Sequence, residues 1–573
     1  MNLLFIVSLS ALVLLLGYKS YGALLKHLFK LDPNFRTPAV EYCDDVDYIP
    51  TDPKFLFGQH FSAIAAAGPI VGPILAGYMF GWIPALLWIL LGSIFVGGVH
   101  DFSAIIASVR HKACSIAELV KQYMTKRAYF LFLAFVWIAI VYIVVAFTDI
   151  VAKSFVGIQK LESGAEIRGG ATATSSMLYL SLPIIMALLM RFLKLRLWLA
   201  TAIFLPLVGV SIWVGPYIPL DIATIFGISD DTAAKVWIVF LLVYCGVASV
   251  IPMWLLLQPR GHLGGFFLIF ALIGGLLGVV LGGKPISYPA FLGFSTAKGE
   301  PMFPLLIITV ACGACSGFHA LVASGTTSKQ LRKETDAIPV GYGGMLMEGM
   351  VAVVSLACVM MFAQNASVFQ GEIKANLIYG IGMGNFLEVI GIPAAFGISF
   401  GLLAFATFVY DTLDVSTRLG RYVFQELIGW KNNIGKIVAT FITVATPFVF
   451  VMQTTTDAKG NVIPAWKVFW SLFGTSNQLL AALTFIGITV WLWRKYRKRW
   501  VWFVTGIPTA FMYTFSMWSL LKFLIDGSIK NVVTWVAAVL VGLAILLLIE
   551  AVTVIFRTMH APPIKEQESG TSK

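Results

Sequence analysis

Apolar residues run in long blocks along this chain, and polar and basic residues gather in short clusters between them. The stretches 3-LLFIVSLSALVLLLG-17 and 128-AYFLFLAFVWIAIVYIVVAF-147 show the pattern. A helix needs about 17–25 apolar residues to cross a bilayer, and an amphipathic surface helix never reads as one unbroken block. Spans are predicted near 2–18, 59–81, 83–109, 128–157, 174–190, 197–215, 234–256, 263–283, 303–326, 340–364, 391–412, 437–452, 466–493, 501–521 and 531–556, about fifteen in all. Segments 114–125 and 375–390 are shorter and read as interfacial or re-entrant helices. The first block has the length of a signal sequence. It lacks a basic stretch before it and a small-residue cleavage site after it, so a retained first helix is expected. Residues 1–556 are read as one all-α, polytopic membrane domain and 557–573 as a polar, disordered tail.

Composition sharpens this picture. Of 573 residues, 59% are hydrophobic and 12% charged, with a mean hydropathy of +0.88; soluble domains carry about 25% charged residues. The net charge of +12 raises nucleic acid as a partner. The basic residues are instead scattered between apolar blocks, which fits membrane topology, so no nucleic acid is expected. With the N-terminus outside, most of the 40 Lys and Arg face the cytoplasm, among them Lys19, Arg110, Arg196, Arg260, Lys329, Arg418 and Arg421. The positive-inside rule therefore sets N out and C in. The six cysteines lie within or near spans or on the cytoplasmic side, and no extracellular disulfide framework is expected.

Two segments make poor continuous helices. In 58-GQHFSAIAAAGPIVGP-73, Pro69 and Pro73 lack an N–H and Gly68 and Gly72 lack a side chain, so the GPIVGP run is expected to unwind. In 311-ACGACSGFHALVASGTT-327, Gly313, Gly317 and Gly325 bracket Ser316, Ser324, Thr326 and Thr327. Lipid offers no partner for freed backbone groups, so unwound backbone implies a cavity or buried site. Paired discontinuous helices in the two halves of a chain mark the binding site of many secondary transporters. Close helix packing through small residues is the alternative for the glycines alone. Candidate substrate-binding residues are His60, Ser62, Gly68, Gly72, Ser316, His319, Ser324, Thr326 and Thr327.

A charge at mid-bilayer costs about 2.5–3.5 kcal/mol, which makes each intramembrane ionisable residue a candidate. His60 and His319 lie in the two breaks, and histidine titrates near pH 6.5. His100 and Asp101 lie nine residues before Arg110, about two and a half turns into the membrane. Glu348 opens a later span. His60, His100, Asp101, His319 and Glu348 are the proton-coupling candidates. Asp411 and Asp414 are placed at an inner membrane edge, paired with Arg418 or Arg421 in a gating or packing cluster. Asn477 and Gln478 read as helix–helix hydrogen-bonding groups. Cys312, Cys315 and His319 stand at i, i+3 and i+7, a spacing that suits a metal, but one glycine-interrupted segment gives only three ligands and no metal or other cofactor is expected. No phosphate loop, nucleophile elbow, kinase or metalloprotease motif is present, so the chain reads as no enzyme.

The segments 47-DYIPTDPKFLFGQHFSAIAAAGPIVGPILA, 96-VGGVHDF, 116-IAELVKQYM, 311-ACGACSGFHALVASGTT, 421-RYVFQEL and 473-FGTSNQLLAAL together resemble the carbon starvation protein A family of bacterial inner-membrane transporters. That family is similar to the amino acid–polyamine–cation superfamily, whose core is an inverted repeat with two broken helices. The resemblance implies that 58–81 and 303–327 are those helices, with extra helices inserted between them. It implies uptake of peptides or pyruvate during carbon limitation, coupled to protons. The chain departs from the family pattern at Cys315, at His100, and at Gly261-His262 in 258-QPRGHL, which adds two titratable groups.

The expectation is therefore a proton-coupled importer with alternating access, holding a small carboxylate-bearing substrate between the breaks. Sodium coupling and a nutrient-binding sensor are the rival readings. The residues set no oligomeric state.

Overall fold

A computed structural model describes residues 2–558 apart from 45–47, 66, 161–165, 253, 371–372, 431, 454, 457–461, 464 and 527–531. The tail beyond Thr558 lies outside the described residues. Apart from two short antiparallel hairpins, Ile158–Lys160 with Glu166–Arg168 and Thr455–Thr456 with Val462–Ile463, the regular structure is helical.

Among the described residues, twelve helices are long and apolar enough to cross a membrane, or thirteen with one bent pair counted as a span. The expected number was about fifteen. The bent pair is the segment expected at 59–81, and the span expected at 303–326 is split into pieces too short to pass. The third is the helix Ile507–Asp526, where Thr, Ser, Tyr and Trp dilute the apolar run. The segments expected as short helices are Ile116–Tyr123 and Ala375–Val389.

Burial separates inner helices from rim helices. The most apolar window of Leu472–Tyr496 is wholly buried and that of Glu334–Met360 is 89% buried, against 33% for Leu3–Leu28 and Asn433–Met452. The rim helices present Phe5, Leu12, Trp213 and Phe441 outward, which only lipid solvates well.

The elements that build the interior are α1 (Pro53–Ile64), α2 (Gly68–Phe80), α3 (Trp82–Arg110), α4 (Asp230–Val250), α5 (Leu257–Gly282), α6 (Met302–Thr309), α7 (Ala311–Ala314), α8 (Gly317–Val322), α9 (Gly343–Met360), α10 (Ala394–Ile428) and α11 (Ala465–Tyr496). Helix α1 starts where Asp52 accepts from the Lys54 amide and Pro53 takes the first position, both favourable N-terminal choices. It ends at Ala65, whose ψ of 73° leaves the helical region, and α2 departs at 49°. The break thus precedes the GPIVGP run expected to unwind. Pro69 falls in the first turn of α2, where its missing N–H removes no intrahelical bond.

The second break is likewise displaced from the glycines that suggested it. Gly313 lies within α7 and Gly317 opens α8. The extended residues are Cys315 (φ −167°, ψ 130°) and Ser316 (φ −129°, ψ 127°). Beyond α8 the chain widens into a π-turn over Ala323–Thr327.

Candidate functional site

The two broken segments pack on each other. A Cβ at Gly68 would overlap the Cys312 side chain, and one at Gly72 would overlap the Thr309 carbonyl oxygen. These glycines let α2 approach α6 and α7 closely, and the first turn of α2 is filled by protein. The break at Cys315–Ser316 is held from α11. Asn477 Oδ1 accepts from the Phe318 amide at 2.9 Å, and its Nδ2 donates to Ser316 Oγ at 3.0 Å. Gln478 Nε2 donates to the carbonyls of Cys315 (3.3 Å) and Ile307 (3.4 Å). The two amides expected as ordinary helix contacts therefore serve the backbone groups that an extended dipeptide leaves without helical partners.

Four ionisable groups stand in a row beside this break. His319 Nδ1 lies 2.8 Å from Asp101 Oδ2, and its Nε2 lies 3.3 Å from Glu348 Oε2. Asp101 Oδ1 meets His100 Nδ1 at 2.9 Å. All four are fully buried. Helix α3 supplies His100 and Asp101, α8 supplies His319 and α9 supplies Glu348. Glu348 is thus a member of the buried row and not an interfacial group. His60, from α1, meets Thr327 Oγ1 at 2.8 Å through Nδ1. That contact joins the first broken segment to the π-turn that ends the second.

A second charged cluster adjoins α1. Ser62 Oγ donates to Asp411 Oδ2 at 2.8 Å. Arg260 brings Nε to within 2.8 Å of Asp411 Oδ1, and its Nη1 contacts Asp414 Oδ2. Tyr244 from α4 donates to Asp414 at 2.8 Å. Asp411 and Asp414 were expected at a membrane edge with Arg418 or Arg421. They are buried and take Arg260 from α5, while Arg418 Nη2 donates to the carbonyls of Ala248 and Ile251 at 2.6 and 2.7 Å. Arg260, expected on the cytoplasmic side, is itself 1% exposed.

Of the remaining candidates, Ser324 and Thr326 return their hydroxyls to carbonyls of their own segment, at Ala320 (2.7 Å) and Val322 (2.9 Å). His262 contacts Thr201 Oγ1 at 2.8 Å and stands apart from the row. Cys312 meets Asn477 Nδ2 at 3.5 Å, and among the described residues no group of three His, Cys, Asp or Glu is placed to hold a metal ion.

The sequence profile of the family described as carbon starvation protein CstA matches residues 2–378 and 363–519. The chain belongs to the carbon starvation protein CstA family. Among its relatives, one from Helicobacter pylori named peptide transporter CstA is 32% identical, covering 94% of this chain and 84% of that protein. Escherichia coli has a peptide transporter CstA, 32% identical over 89% of this chain and 80% of its own length. It also has a pyruvate/proton symporter BtsT, 32% identical over 90% and 81%. A solved mutant manganese transporter from Eremococcus coleocola aligns at 14% identity with a TM-score of 0.47, covering 90% of this chain and 99% of that one.

Within this family member, sequence reasoning missed Arg260 and Tyr244 as site groups. The available signal was a lone arginine set just after Pro259 at the head of the apolar helix α5, with two aspartates three residues apart in a later span. Buried arginine in a membrane protein needs carboxylates, and local helical spacing had assigned those two to Arg418 or Arg421 instead.

Proposed function

We propose that this chain is a proton-coupled importer of small carboxylate-bearing nutrients, peptides or pyruvate, in the inner membrane with its N-terminus outside and its C-terminus in the cytoplasm. The observation that carries the reading is the row Glu348–His319–Asp101–His100, wholly buried beside the breaks. Two acids and two imidazoles in contact can hold their protons in more than one arrangement, as a coupling site requires. Such a row is expensive in a bilayer, and function is the usual reason for keeping it. The names of the relatives support the substrate class: peptides for two of them, pyruvate with protons for the third, and transport in every case.

In this reading His319 and Asp101 carry the coupling proton, and His60 reports it to the π-turn through Thr327. The inverted-repeat core belongs to the same reading and rests on the two breaks. Substrate reaches them from the side of α1 that faces Asp411. Trp470 and Phe473 line a crevice with Gly68 and Cys312 that has no room for a water, and Phe147 meets the Phe473 ring edge-on and the Trp470 ring at a tilt. A crevice closed by rings beside α2 and cavities beside α1 fit the asymmetry that alternating access exchanges.

The test is reconstitution in liposomes with an inward proton gradient, offering labelled pyruvate and labelled dialanine with and without a protonophore. Protonophore-sensitive uptake of either is expected, unchanged when choline replaces sodium. Binding without uptake would make the chain a sensor, and uptake that needs sodium and ignores the protonophore would replace the coupling ion.

A further inference from the structure

Two small cavities adjoin α1 and carry opposite charge. The first, of about 30 Å³, is lined by Gln59, His60, Ser62, Thr326, Gln330 and Asp411 among others, and Asp411 is the one Asp, Glu, Lys or Arg in its described lining. The second, also about 30 Å³, has Lys329 and Arg418 as its formal charges. Leu257, Thr326, Gln330 and Val415 line both, so the two are neighbours. We infer that this pair of cavities receives the two ends of a zwitterion, an ammonium group on Asp411 and a carboxylate toward Lys329 and Arg418, which makes the substrate a short peptide rather than a keto acid. The inference rests on the reading of this site as a transport site and deepens it.

Size comes first. A volume of 30 Å³ is what one water molecule takes up in the liquid, and an ammonium head is of that order. Chemistry follows. The first cavity offers oxygen acceptors from Ser62, Thr326 and Asp411 together with the side-chain amides of Gln59 and Gln330. Each carboxylate oxygen has two acceptor positions. Asp411 Oδ2 receives Ser62 and Oδ1 faces Arg260 Nε, so both keep capacity for a further donor. Asp414 takes Arg260 and the Tyr244 hydroxyl on Oδ2, its Oδ1 is buried without a partner, and it lines neither cavity. The negative charge left to face a ligand is therefore Asp411's. Gly264 leaves room for that carboxylate, since a Cβ there would come within 2.6 Å of Asp411 Oδ2.

Two buried polar atoms in these linings have no hydrogen-bond partner among the described residues. One is His60 Nε2, on the ring edge that lies against Gly344 of α9, and the other is Arg418 Nε, on a side chain that lines the basic cavity. Both side chains are more than nine-tenths buried. Arg418 Nε presents an N–H to a carboxylate. A carboxylate lining the acidic cavity and an arginine with an unmet N–H lining the basic one are the complement of a zwitterion. Asp411 and Arg418 stand two turns apart on α10, about 10.5 Å along its axis. An extended chain covers about 3.5 Å per residue, so a di- or tripeptide spans the gap once the side chains reach inward. Pyruvate bears no group for the acidic cavity.

The experiment modifies the ligand first, so that no variant need fold. Liposomes holding the wild-type protein receive an inward proton gradient and labelled dialanine, N-acetyl-dialanine, dialanine amide or pyruvate. Dialanine uptake is expected, with each end-blocked form lower in uptake efficiency by roughly 10- to 100-fold. Asp411→Asn should lower dialanine uptake by a similar factor and leave the small N-acetyl-dialanine rate where it was. Equal uptake of dialanine and its N-acetyl form, or an equal loss of both in Asp411→Asn, overturns the inference. So does sodium-dependent dialanine uptake whose sodium dependence vanishes in Asp411→Asn. Proton-driven uptake of pyruvate without dialanine overturns it too, and leaves the importer reading standing. No proton-driven uptake of either substrate by folded protein overturns both.

Discussion

His319 and Asp101 meet at 2.8 Å, Nδ1 to Oδ2, although they are 218 positions apart in the chain. The contact ties the second broken segment to α3, and Asp101 also holds His100 through its other oxygen. Asp101 is thus the carboxylate shared by two imidazoles, and its charge sets where their protons rest.

Asp101→Asn keeps the shape and removes that charge. Gradient-driven uptake should fall by about 100-fold or more, the scale of losing a proton-transfer group. Exchange of labelled for unlabelled substrate across the membrane, with no net proton movement, should persist. Loss of exchange together with uptake would assign Asp101 a structural role.

The apolar blocks were enough to place most membrane helices, because lipid requires continuous apolar length and a run of that length has few other meanings. The breaks were legible to the segment but not to the residue. Pro69 marks a helix start as readily as a helix break, and the structure uses it as a start. The row was legible as a set of buried ionisable residues, while its order was not: Glu348, His319 and Asp101 come from three different helices. Asp411 and Asp414 misled because Arg418 stands at helical spacing from Asp414. Their true partner, Arg260, lies 154 positions before Asp414, and no local pattern announces it.

Asn477 should matter for stability more than its hydroxyl neighbour. Asn477→Ala strips the Phe318 amide and Ser316 of a partner at a buried extended backbone, which costs about 1–3 kcal/mol. Ser476 donates to the Phe473 carbonyl of its own helix, so Ser476→Ala should cost well under about 1 kcal/mol. Thermal unfolding in detergent reads the difference. Equal melting temperatures for the two variants would refute the part given to Asn477.

The close approach of α2 to α6 and α7 makes two glycine substitutions behave differently. At Gly68 an added Cβ meets the Cys312 side chain, whereas at Gly72 it meets the Thr309 backbone. Both single alanine variants should lose folded yield. Cys312→Gly should restore Gly68→Ala, a coupling of about 1–3 kcal/mol between touching residues. It should leave Gly72→Ala as poor as before, because no side-chain deletion moves a carbonyl. Rescue of both, or of neither, would contradict this packing.

Arg260 between Asp411 and Asp414 provides the last case. The guanidinium is buried and also lies over Tyr410 at 5.5 Å, so it is packed as well as paired. Arg260→Met keeps much of the packing and leaves two buried carboxylates facing each other without their cation. Breaking one side of a buried ion pair costs about 3–5 kcal/mol, and here two partners are stranded at once. Removing the charge from all three, as Arg260→Met with Asp411→Asn and Asp414→Asn, should recover most of that loss. Neutral replacements for buried charges are often as stable as the ions they replace. Unfolding temperature in detergent is the readout, and dialanine uptake is expected to stay low in the triple variant because Asp411 is gone. A triple variant no more stable than Arg260→Met would mean that packing of the arginine stem, and not charge balance, holds α1, α5 and α10 together.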